Sequence, residues 1–101
     1  MIDWDNLKTE DYRKIDLKKL TREQALWVIR GGRKKYERYR EFMLQRYSEE
    51  DMKKEDEFRL ALFRDKNPQK ARRIAESIKD PTLRKDCLIE IKAWQQACIV
   101  G

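Results

Sequence analysis

Apolar side chains along the second half of the chain return with the pitch of an α-helix. Ala71, Ile74, Ala75 and Ile78 make one narrow stripe, with Arg72, Arg73 and Glu76 outside it. Leu83, Cys87, Ile91, Trp94 and Cys98 make another, which Leu88, Ile89, Ala93 and Ala97 widen. Spacings of three and four residues put such side chains on one helix face. A helix apolar over so much of its girth is expected at the centre of a fold. Upstream, Tyr36, Tyr39, Met43 and Tyr47 stand at i, i+3, i+7 and i+11. Ala25, Leu26, Val28 and Ile29 form a shorter cluster with Trp27 beside them, and Phe58, Leu60, Ala61, Leu62 and Phe63 a denser one.

Start signals agree with these periods. Thr21-Arg22-Glu23-Gln24 is a capping box, in which the Thr hydroxyl accepts from a first-turn amide and Gln24 reaches back. Gly31-Gly32 interrupts the helix that follows, and two adjacent glycines favour a kink or a full turn. A second helix is predicted over 33–47. Ser48 is the next N-cap, with Glu49, Glu50 and Asp51 set where the helix dipole is positive, and that helix is predicted to end near Asp65. Asn67-Pro68 and Asp80-Pro81 each pair a capping residue with a proline suited to the first helical position. Residues 1–20 carry spaced anchors (Trp4, Leu7, Tyr12, Ile15, Leu17, Leu20) with no single period. They predict an arm with one short helical turn, started by Thr9, lying across the later helices. The expected fold is all-α: a compact bundle of four to five short helices over 21–101, with the arm 1–20 packed on it.

The pattern Ala-x-x-Ile-Ala-x-x-Ile-x-Asp-Pro-x-x-Arg-x-x-x-Leu-x-x-Ile within 65–97 rests on Ala71, Ile74, Ala75, Ile78, Asp80, Pro81, Arg84, Leu88 and Ile91. It resembles one αα-hairpin of the helical-repeat (TPR-like solenoid) class. The resemblance covers about a third of the chain, and no second copy follows at a fixed period, although such arrays need about three repeats. It implies a scaffold that presents surfaces to other proteins, and it brings no catalytic residues.

Composition narrows the chemistry. The chain has 101 residues, 44 % of them charged, and 25 Lys and Arg against 19 Asp and Glu give a net charge of +6. That suits one small domain and leaves no apolar run near the roughly 18 residues a membrane span needs. Few Gly, Pro, Val and Thr leave little material for strands. Histidine is absent, which removes Ser-His and Cys-His nucleophile pairs and the commonest metal ligand. Cys87 and Cys98 lie roughly 16 Å apart if one helix carries both, too far for a disulfide that needs about 7 Å or less. Unpaired thiols and no apolar leader point to the cytoplasm. The ending Cys98-Ile99-Val100-Gly101 is a poor prenylation box, because a final Gly is atypical there.

Charge is distributed unevenly. Residues 30–46 hold seven basic and two acidic side chains, whereas 48–57 hold six acidic and two basic. A basic helix interleaved with Tyr is what phosphate contacts plus base stacking require. Arg33, Lys34, Lys35, Arg38 and Arg40 are therefore candidate anion or nucleic-acid contacts, and the Gly31–Lys35 junction could expose amides to an anion. The competing expectation is a solvated charge pattern that the acidic block neutralises, with the tyrosines in the core. Pairs such as Glu55/Glu57 or Glu49/Glu50 are expected to be solvated rather than catalytic. Trp4 and Trp94 are candidate partner-surface residues, because Trp is enriched at interfaces. The expected function is thus non-catalytic: a small binding or adaptor protein of subunit, immunity or inhibitor type, acting through a helical surface on another protein. Nucleic acid is the alternative partner, a homodimer is left open, and no membrane, metal or cofactor is called for.

Overall fold

Helix starts lie where the capping residues place them. The computed structural model describes residues 2–100, except the side chains of 98–100; Cys98 as a thiol, and with it the C-terminal tetrapeptide, lies outside the described residues. Helix α1 (Arg22–Arg30) opens on the full capping box: Thr21 Oγ1 accepts from the Gln24 amide, and Gln24 Oε1 accepts from the Thr21 amide, both at 3.2 Å. Helix α2 (Arg33–Arg46) follows. Helix α3 (Glu49–Arg59) is capped by Ser48, whose Oγ accepts from the Asp51 amide at 3.1 Å. Asn67 Oδ1 accepts from the Lys70 amide at 3.1 Å to start α4 (Pro68–Glu76). Asp80 Oδ1 accepts from the amides of Thr82 and Leu83 at 2.9 and 3.0 Å to start α5 (Pro81–Val100). Among the described residues there are five α-helices and no strand, so the fold is all-α.

Contacts divide the chain into units 1–46 and 47–101. The arm groups with α1 and α2 in the first. It holds two 3-10 turns, Thr9–Arg13 and Leu17–Lys19. Helix α1 buries Ala25, Leu26 and Val28, and α2 buries Tyr36 and Met43. The Gly pair is a full break. The Gly32 amide donates to the Trp27 carbonyl at 2.7 Å and the Gly31 amide to that of Val28 at 3.1 Å. This is a Schellman closure with Gly31 in the left-handed conformation at φ 95°.

The arm then seals the start of α2. The first amides of a helix have no partner within it. Here the Arg33 amide donates to the Trp4 carbonyl at 2.7 Å and the Lys34 amide to that of Asp5 at 3.2 Å. The Leu7 amide returns a bond to the Gly31 carbonyl at 3.1 Å, and Arg33 Nε lies 2.8 Å from Asp5 Oδ1. The arm's backbone approaches so closely that only a residue without Cβ fits at Gly32.

In the second unit α3 packs on α4, and α4 on α5. Its core holds Met52, Phe58, Leu60, Ala61, Leu62, Ala71, Ala75, Ile78, Leu83, Cys87 and Ile91. The helix predicted to run to Asp65 changes winding first, as a π turn over Leu60–Arg64 in which the Asp65 amide reaches the Leu60 carbonyl at 3.0 Å. Wider winding rotates successive side chains less per residue, which lets Leu60, Ala61 and Leu62 all stay buried. Beyond it, a hydrogen bond from Arg64 holds the Asp65 carboxyl below its ordinary value, against the opposing effect of burial.

Helix α5 is not the central helix that its broad apolar girth predicts. It packs on α4 through Leu83, Cys87 and Ile91, while Ile89 is 55 % exposed and Ala93 and Ala97 are exposed too. Three helices packed in sequence leave the last one with a free flank. The acidic block also departs from expectation. Asp51, Glu55 and Asp56 are buried rather than solvated. Asp51 Oδ1 and Oδ2 accept from the amides of Lys79 and Asp80, each at 3.0 Å, and so tie the α4–α5 connection to α3. Glu55 Oε1 accepts from Arg59 Nε at 3.1 Å, and Arg59 Nη1 reaches Glu90 Oε1 at 3.3 Å. Glu49 and Glu50 do stay exposed. Asp51→Ala is expected to cost about 2 kcal/mol in urea denaturation, because two part-buried amides lose their acceptor. A loss under about 0.5 kcal/mol would show that water replaces the carboxylate without penalty.

Candidate cationic face of helix α2

Helix α2 starts with three cations in succession, the end at which a helix dipole disfavours positive charge. The structure gives the five candidate contacts different fates. Arg33 is committed to Asp5. Arg40 is half-buried and donates to Tyr36 Oη at 3.2 Å. Lys34, Lys35 and Arg38 are exposed, and among the described residues their side chains have no hydrogen-bond or ion-pair partner. With 3.6 residues per turn, Lys34 and Arg38 lie one above the other, and Lys35 flanks them.

The tyrosines do not supply the interleaved stacking surface. Tyr36 is 8 % exposed and bonded to Arg40. Tyr39 is half-buried beneath the Arg30 guanidinium, which lies 3.5 Å from its ring centroid. The aromatic ring on the outer face is Phe42, which sequence reasoning missed. It is 47 % exposed, and the Arg46 guanidinium lies 4.3 Å from its centroid. Its spacing was a usable signal: it stands four residues after Arg38 and seven after Lys35, on the face that the buried Tyr36 and Met43 do not share. Glu37 lies toward Leu44 and Glu41 at the edge of the cationic face beside Lys34, so the stripe Lys35–Arg38–Phe42–Arg46 itself holds none of the helix's own acids.

The start of α2 offers no exposed pair of amides at its first two positions, because the carbonyls of Trp4 and Asp5 occupy those of Arg33 and Lys34. Those two amides are therefore not available to an anion. Within the second unit, Glu49, Glu50, Asp51 and Glu55 of the acidic block pair with Lys53, Lys54, Lys79, Arg59 and the 79–80 backbone. Of the two candidate tryptophans, Trp4 is half-buried and lines an open groove of about 290 Å³ in the arm with Ile2, Ile15, Leu20, Lys14 and Lys19. Trp94 is half-buried on α5. No cluster of potential metal ligands occurs among the described residues, and no helix is long and apolar enough to cross a membrane.

Fold and surface together define an all-α chain with an exposed cationic helix face. No family model, curated protein or solved structure matches it.

Proposed function

We propose that the chain is a non-catalytic binding protein and that the outer face of α2 takes an anionic partner. The observation that carries this reading is the set Lys34, Lys35 and Arg38, three exposed cations that no side chain among the described residues pairs. Elsewhere, Arg33, Lys53, Lys54, Arg59, Arg64, Lys70 and Lys79 lie within ion-pair distance of carboxylates. The first unit, with thirteen basic and eight acidic residues, has a net charge of +5, and the second only +1. A field of one sign raises the encounter rate with an opposite charge. A reducing compartment such as the cytoplasm suits the buried Cys87, which is in no disulfide.

The test is fluorescence anisotropy at low salt with three labelled polyanions: a single-stranded oligonucleotide, a duplex and polyglutamate. At least one is expected to bind, and Lys34→Glu with Lys35→Glu and Arg38→Glu is expected to weaken it by about a hundredfold, roughly 1 kcal/mol per lost charge-assisted contact. Unchanged helicity by circular dichroism would show that the fold survives. Binding of none of the three, or equal binding by the triple variant, overturns the reading.

A second reading has its own observation. The exposed Ile89, with half-buried Trp94, lies on the free flank of α5, and the α4–α5 hairpin resembles helical-repeat scaffolds that present protein surfaces. An adaptor role on a protein partner, or a homodimer through this flank, would follow. The homodimer reading requires concentration-dependent sedimentation that Ile89→Asp removes.

A further inference from the structure

We infer that the anionic partner of α2 is a single-stranded nucleic acid, with Lys34, Lys35 and Arg38 on its phosphates and Phe42 stacked on a base. This rests on the reading of α2 as an anion-binding face and adds the identity of the anion. The choice between an acidic protein and a nucleic acid turns on what surrounds the aromatic ring. The cores of protein interfaces are depleted of Lys and Glu and are built from contiguous apolar side chains. The outer face of α2 is the reverse. Lys34, Lys35, Arg38 and Glu41 occupy it, and Phe42 stands alone among them. Leu44, the other exposed apolar residue of the helix, is on the opposite flank. An isolated ring among cations suits a strand whose charge is spread along a backbone and whose bases each offer a π-face.

Ring position agrees with this use. The Arg46 guanidinium covers one face of Phe42 at 4.3 Å from the centroid, and the residue is still 47 % exposed. A base on the opposite face would complete a stack of guanidinium, ring and base, with Arg46 close to the flanking phosphate. The cations also sit where local rules disfavour them. Lys34 and Lys35 occupy the first turn of α2, where the helix dipole disfavours positive charge, and among the described residues neither side chain has a hydrogen-bond or ion-pair partner. Departures from local preference without internal compensation are expected at working surfaces. A duplex fits less well, because its stacked bases do not offer a face to a ring on a helix side.

The experiment compares labelled oligothymidylate, a duplex and polyglutamate by anisotropy across a salt series. Oligothymidylate is expected to bind most tightly. Phe42→Ala should weaken it about tenfold, with the salt slope unchanged, and Phe42→Trp should restore it. The triple charge reversal should lower the log–log salt slope by about 2, at about 0.7 per phosphate of a single strand. Leu44→Ala, on the opposite flank, should leave binding as it was. If Phe42→Ala has no effect while the charge reversal abolishes binding, the stacking inference is overturned and the anionic-partner reading stands. Preference for polyglutamate or for duplex has the same consequence and redirects the search to an acidic protein or to double strands. If no polyanion binds, both fail.

Discussion

Gly32→Ala is expected to destabilise the first unit by about 3 kcal/mol, far more than the same change at Gly31. A Cβ at Gly32 would lie 2.5 Å from the Asp5 carbonyl oxygen and 2.9 Å from its carbon, both rigid backbone atoms. Its φ of 128° is also one that L side chains rarely adopt, and such strain alone costs on the order of 1–3 kcal/mol. Relief would require the arm to withdraw from α2. That would break the bonds from Arg33 and Lys34 to the carbonyls of Trp4 and Asp5. At Gly31 the added Cβ meets the flexible Lys35 side chain at 3.1 Å and the Tyr12 hydroxyl at an ordinary 3.7 Å, and the left-handed backbone costs about 1 kcal/mol. Urea denaturation gives the two losses, and hydrogen exchange at the Arg33 and Lys34 amides shows whether the arm has left. Equal losses at the two glycines would mean that the arm does not press on the second.

Removing the Arg59 guanidinium should be as damaging to the second unit. Its side chain is 12 % exposed and that of Glu55 only 1 %, so Arg59→Ala takes the Arg59 guanidinium away from a buried carboxylate. Breaking a buried pair from one side costs about 3–5 kcal/mol. Arg59 also lies over Phe58 and Phe63, at 5.4 and 5.8 Å from the ring centroids, so packing is lost with the charge. Replacing both partners, Glu55→Leu with Arg59→Met, is expected to recover most of the loss, because neither half of the pair is then left buried without the other. Thermal unfolding of the single and double variants decides this. A single variant as stable as the parent would show that Glu55 keeps enough other partners to be indifferent to Arg59.

These two sites were illegible for the same reason. Glu55 falls in a run of acids that reads as a solvated helix face, and only the packing of α3 on α4 turns three of them inward. Gly32 reads as a break, but the sequence does not say what approaches it. Phe42 is hard to read from the sequence because Tyr36, Tyr39, Met43 and Tyr47 form the stronger helical period, on the other side of the same helix. In contrast, Thr21, Ser48, Asn67 and Asp80 were read as caps and are caps, because each needs only amides two or three residues away.

By itself the sequence determined the all-α class, the starts of α1, α3, α4 and α5, the break at Gly31-Gly32 and the excess of positive charge on α2. Capping, dipole placement and apolar period act within a few residues, so the order of residues carries them directly. Tertiary structure decided where the arm goes, which acids are buried, which flank of α5 is left open and which α2 cations remain unpaired. Those depend on segments tens of residues apart meeting in space, and a linear pattern records what a side chain is but not what comes to lie against it.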